Sequence, residues 1–103
     1  MDIQDIRQRL ESGQFEFSRH ALHRVVERNI SEEEIREAGG TATIIEDYPD
    51  DKYSPSCLLL GFTARQRPLH MQICYTNVGM IKIVTIYEPD AAAWIENRIR
   101  RSP

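Results

Sequence analysis

Between residues 42 and 88 the chain carries four runs rich in β-branched and aromatic side chains, interrupted only at 49–55, 65–67 and 77–79. Connections this short constrain the fold strongly. A parallel crossover needs a dozen or more residues, so consecutive runs must pair antiparallel. The runs are 42–48, 56–64, 68–76 and 80–88. The first break, Pro49 to Pro55, is polar with a proline at each end, and Asn77-Val78-Gly79 reads as a tight hairpin turn. Register is left with two solutions. A three-residue 77–79 loop pairs His70 with Ile86, whereas a two-residue 78–79 loop pairs it with Tyr87. One residue of slip exchanges the faces.

Before residue 42 the period is helical. Ile3, Ile6 and Leu10 share a face behind an Asp2 cap, and Ser12-Gly13 ends that helix. Phe15 and Phe17 alternate with polar neighbours, which suits a short extended link. Ser18 caps a second helix to about Arg28, with Leu22, Val25, Val26 and Asn29 on one face and His20, Arg24, Glu27 and Arg28 opposite. Ser31 and Glu34 form a capping box for a third helix to about Ala38, which Gly39-Gly40 should stop. After the strands, Asp90 caps a helix expected over 91–101, with Trp94, Ile95 and Ile99 inward. The fold expected is therefore α+β: three N-terminal helices, a four-stranded antiparallel meander and a C-terminal helix.

The 103 residues are 41% hydrophobic and 28% charged, enough for one domain, 1–103, with one core. The longest apolar run is far too short to span a membrane, and no signal peptide opens the chain, so a soluble, cytoplasmic protein is expected. Taken alone, the net charge of −3 argues against a nonspecific nucleic-acid binder, and no binding to DNA by itself is expected. That charge is uneven. Residues 31–51 hold eight acids and one base, a net of −7, while the remainder holds twelve Lys/Arg against eight Asp/Glu, a net of +4. Cys57 and Cys74 sit in apolar alternating segments without ligand spacing, as small buried thiols do, so no metal is expected. Nucleotide-loop and serine-hydrolase motifs are absent from the sequence, and no cofactor is expected.

The chemistry-bearing feature is the second helix. His20, Arg24 and Arg28 lie at i, i+4 and i+8, a gently spiralling stripe with Glu27 beside it. Metal-independent RNA cleavage needs a base, an acid and cations for the phosphorane. Imidazole titrates in the useful range, and guanidinium grips phosphate with two hydrogen bonds. The same groups also suit a solvated helix face. His70 in the third run and Tyr87 at the end of the fourth are further catalytic candidates. Lys82, Arg65 and Arg67 join Arg28 as candidates to hold RNA. An alternative is a non-enzymatic protein-interaction module whose acidic 31–51 segment docks a basic partner.

Ser18-x-His20-Ala21-x-x-Arg24-Val25-x-Glu27-Arg28-x-Ile30-Ser31 resembles the opening motif of a small prokaryotic family, domain of unknown function four-two-five-eight. The segments 45–51, 56–61, 67–70 and 85–90 resemble its later blocks, in order. That resemblance implies a likeness to toxins of toxin–antitoxin modules with a RelE/MqsR-like ribonuclease layout. It also implies metal-independent mRNA cleavage and neutralisation by a small zinc-finger antitoxin-like protein. It carries over His20 and Arg24 as the motif's His and Arg, Arg28 as its second Arg, and Tyr87 as the tyrosine of its last strand.

Overall fold

A computed structural model describes residues 2–52, 54–76 and 79–102. The elements run α1 (Ile3–Glu11), β1 (Phe15–Phe17), α2 (Arg19–Glu27), α3 (Glu32–Gly40), β2 (Thr43–Tyr48), β3 (Ser56–Phe62), β4 (Pro68–Tyr75), β5 (Ile81–Tyr87), β6 (Trp94–Ile95) and β7 (Ile99–Arg100). Each helix begins where a side chain satisfies an orphan backbone N–H. Asp2 accepts from Gln4, Ser18 from Ala21 and Ser31 from Glu34, and Glu34 returns a bond to the Ser31 N–H.

The five-stranded sheet has the order β1-β5-β4-β3-β2 and is mixed. β2 to β5 pair antiparallel in sequence, but Phe15-Glu16-Phe17 adds a parallel edge against Ile81–Ile83. The expected meander missed this strand. Three alternating residues are too few to distinguish a strand from an extended link until a partner edge is known. The expected hairpin turn at Asn77-Val78-Gly79 lies largely outside the described residues. Near it the register is Tyr75↔Ile81 and Ile73↔Ile83, which extrapolates to His70 opposite Ile86. A bulge then passes over Val84, so Gln72 meets Thr85 and His70 meets Tyr87. The bulge sets the face on which Tyr87 stands.

All three helices cover one face of the sheet. Ile6, Leu10, Ala21, Val25 and Ile35 close over Leu59, Met71, Ile73, Ile81, Ile83 and Ile86. α3 runs on through Gly39 and Gly40 to a Thr41 cap instead of stopping at the glycines. Gly39 serves close packing, as does Gly61 in β3. A Cβ on Gly39 would lie 2.3 Å from the Leu10 Cβ, and one on Gly61 would lie 2.0 Å from the Ala38 carbonyl oxygen.

The expected C-terminal helix is absent. Asp90 caps a turn, accepting from the Ala92 N–H, but the chain then folds into the β6–β7 ribbon on the other face of the sheet. Its two-residue turn has Glu96 at φ 51 and Asn97 at φ 63, closed by the Arg98 N–H on the Ile95 carbonyl. Helix propensity loses here because a helix would commit the Asn97 carbonyl internally. In the ribbon that carbonyl accepts from His70, buried beneath it, and Trp94 packs onto the same imidazole. Among the described residues no helix is long and apolar enough to cross a membrane.

Candidate active site

α2 lies along β5 and is pinned at both ends. At its start the Ser18 N–H and hydroxyl donate to the carbonyls of Ile83 and Val84. At its end Arg28 Nη1 donates to the Ile86 carbonyl at 2.6 Å. This fixes the rotation of the helix. Ala21 and Val25 point inward, whereas Leu22 is 52% and Val26 77% exposed. At about 100° per residue the buried direction is turned about 70° from the Leu22–Val25–Val26–Asn29 face that the sequence suggests. The turn brings the polar stripe down beside the protein at Arg28 and lifts Leu22 and Val26 into solvent.

Arg28 opens onto a cleft of about 540 Å³, lined also by Arg67, Tyr87, Glu88, Asp90, Ala93 and Trp94. Behind the cleft wall His70 is fully buried. Its Nε2 is 2.6 Å from the Asn97 carbonyl oxygen and its Nδ1 is 3.1 Å from the Tyr87 hydroxyl. A carbonyl only accepts, so Nε2 carries the proton. Neutral Nδ1 therefore accepts from Tyr87. Trp94 meets the imidazole edge-to-face, with ring centroids 4.5 Å apart. Arg100 stacks over Trp94 and forms an ion pair with Glu46 at 3.0 Å, and the Tyr48 hydroxyl donates to the same carboxylate.

Burial is the main cause holding His70 below its ordinary value of 6.5, opposed by the Asn97 bond and Glu46. Burial likewise raises the Tyr87 hydroxyl, and it takes Tyr48 up to about 12. At neutral pH the pair is thus a neutral imidazole whose Nδ1 accepts from an intact phenol.

The other candidates are dispersed. His20 and Arg24 stand on α2 about 12 and 6 Å before Arg28 along the helix axis. His20 is exposed, and Arg24 is paired with Glu27 at 2.7 Å. Arg67 is a structural clamp. It donates to the Arg28 and Asn29 carbonyls that end α2, and to Glu34 and Glu88. Arg65 lies in a hollow shared with Glu33, Glu34 and Glu37. Lys82, opposite Glu16 and Cys74, lies on the face away from the helices but outside the cleft lining. Trp94, the Asn97 carbonyl, Glu46 and Arg100 come to His70 only through the β6–β7 ribbon, which the helical reading of 91–101 hides, and their one signal in the sequence is the lone tryptophan. Among the described residues no three His, Cys, Asp or Glu side chains gather as a metal site.

Comparison with curated proteins gives no match, and neither does comparison with solved structures. The model of one family, "Domain of unknown function (DUF4258)", matches residues 17–88, the segment from β1 to the cleft wall that carries Arg28, His70 and Tyr87, and the chain belongs to that family.

Proposed function

We propose that the protein is a toxin-like, metal-independent endoribonuclease that cleaves mRNA in the cytoplasm and is neutralised by a small zinc-finger antitoxin-like protein. The observation that supports this reading is the Tyr87–His70–Asn97 relay opening on a cleft beside Arg28. Tyr87 takes the proton of the ribose 2′-hydroxyl as its own proton passes to His70 Nδ1. The 2′-oxygen attacks phosphorus, the bond to the 5′-oxygen breaks, that oxygen takes a proton from solvent in the open cleft, and His70 returns its proton to the solvent through Tyr87. The products are a 2′,3′-cyclic phosphate and a 5′-hydroxyl. Arg28 faces the phosphate as charge builds on it.

Purified protein should cut single-stranded RNA in excess EDTA, and Tyr87→Phe and His70→Gln should each abolish cutting. Intact RNA after prolonged incubation with the wild-type protein would remove the reading.

Exposed Leu22 and Val26 favour a second reading, a non-enzymatic protein-interaction module. Leu22→Asp/Val26→Asp should then abolish partner binding, with RNA left uncut and growth unaffected by expression. RNA cutting by the doubly substituted protein would count against this second reading.

A further inference from the structure

The rotation of α2 gives its polar flank a direction. Arg28 sits in the cleft, bonded to the Ile86 carbonyl through one nitrogen. Arg24 is one turn earlier on the same flank and His20 one turn earlier again, each step about 6 Å along the axis. That step is comparable with the separation of successive phosphates along a stretched single strand. The flank carries one acid, Glu27, which holds Arg24 in an ion pair at 37% and 57% side-chain exposure. A pair this exposed is weak and exchangeable. The apolar residues Leu22 and Val26 lie on the other flank and do not interrupt the row.

We propose that α2 carries a track of phosphate subsites leading out of the cleft, with Arg28 at the scissile phosphate, Arg24 at the next and His20 at the one beyond. This rests on the ribonuclease reading and adds to it the substrate class: a single-stranded RNA of at least three or four nucleotides, with little use of a dinucleotide. Glu27 acts as a gate on the track, releasing Arg24 to an incoming phosphate.

The test uses a dinucleotide and a hexanucleotide RNA in EDTA, together with a hexanucleotide RNA carrying 2′-O-methyl ribose throughout as an uncleavable binding probe. Wild-type kcat/KM should favour the hexanucleotide about ten-fold or more, and that ratio should collapse towards one in His20→Ala/Arg24→Gln, through KM. Fluorescence anisotropy with the uncleavable probe should show the double variant binding about ten-fold more weakly, with a shallower salt dependence. Glu27→Gln should bind it a few-fold more tightly, and that gain should shrink in the Arg24→Gln background, which separates release of Arg24 from the mere loss of a negative charge. A length-independent kcat/KM, or equal probe affinity in wild type and the double variant, would overturn the track. Failure to cut RNA of any length sinks the ribonuclease reading instead, and the binding arm still decides whether α2 follows a phosphate backbone.

Discussion

His70 and Tyr87 stand opposite one another on β4 and β5, with the phenol hydroxyl 3.1 Å from Nδ1 and the Asn97 carbonyl holding Nε2 at 2.6 Å. Both imidazole nitrogens are satisfied, so the tautomer is fixed by the fold.

Removing one partner exposes what the pair contributes. Tyr87→Phe keeps the ring contact but leaves a buried Nδ1 without a donor, and should cost about 1–3 kcal/mol in urea unfolding. On the ribonuclease reading the same variant should lose at least about 100-fold in cleavage rate. A variant as active as the wild type would show that the hydroxyl has no part in catalysis.

Acid should weaken the fold through His70. Its folded pKa is depressed, so its contribution is complete above its ordinary 6.5. As pH falls through that value the unfolded chain takes up the proton first, and stability declines towards the lower folded value. The melting temperature should drop between about pH 7.5 and 5.5, by less in His70→Gln than in the wild type. Equal drops would place the sensitivity elsewhere.

The Arg67 guanidinium, a candidate from the sequence to hold RNA, joins the end of α2 to Glu34 on α3 and to Glu88 after β5. Arg67→Met should destabilise by about 2 kcal/mol. Arg67→Lys should recover little of that, because an ammonium cannot fan out to the same acceptors. Chemical denaturation of the two variants checks this, and full recovery by lysine would refute the clamp.

The ribbon turn contains a correctable fault. Glu96 occupies φ 51, a left-handed conformation that glycine adopts without its steric cost. Glu96→Gly should stabilise the protein by about 0.5 kcal/mol, the relief being partly offset by glycine's larger unfolded-state entropy. A lower melting temperature would mean that the Glu96 side chain contributes more than its backbone costs.

The sequence alone determined what depends on neighbours along the chain. Asp2, Ser18 and Ser31 mark helix starts because a cap needs only the next three residues, and short connections force 42–88 into antiparallel pairing. Tertiary structure decided whatever depends on a distant partner. Phe15–Phe17 is a strand because Ile81–Ile83 offers it an edge, and the bulge at Val84 turns Tyr87 towards His70. The Ala91–Arg101 helix is given up because a buried imidazole needs the Asn97 carbonyl more than an exposed helix does. On α2 the residue types of the stripe were legible. Its rotation was not, because Ala21 and Val25 are chosen as the buried face by bonds from Ser18 and Arg28 to carbonyls some sixty residues away, and periodicity within nine residues cannot register those bonds.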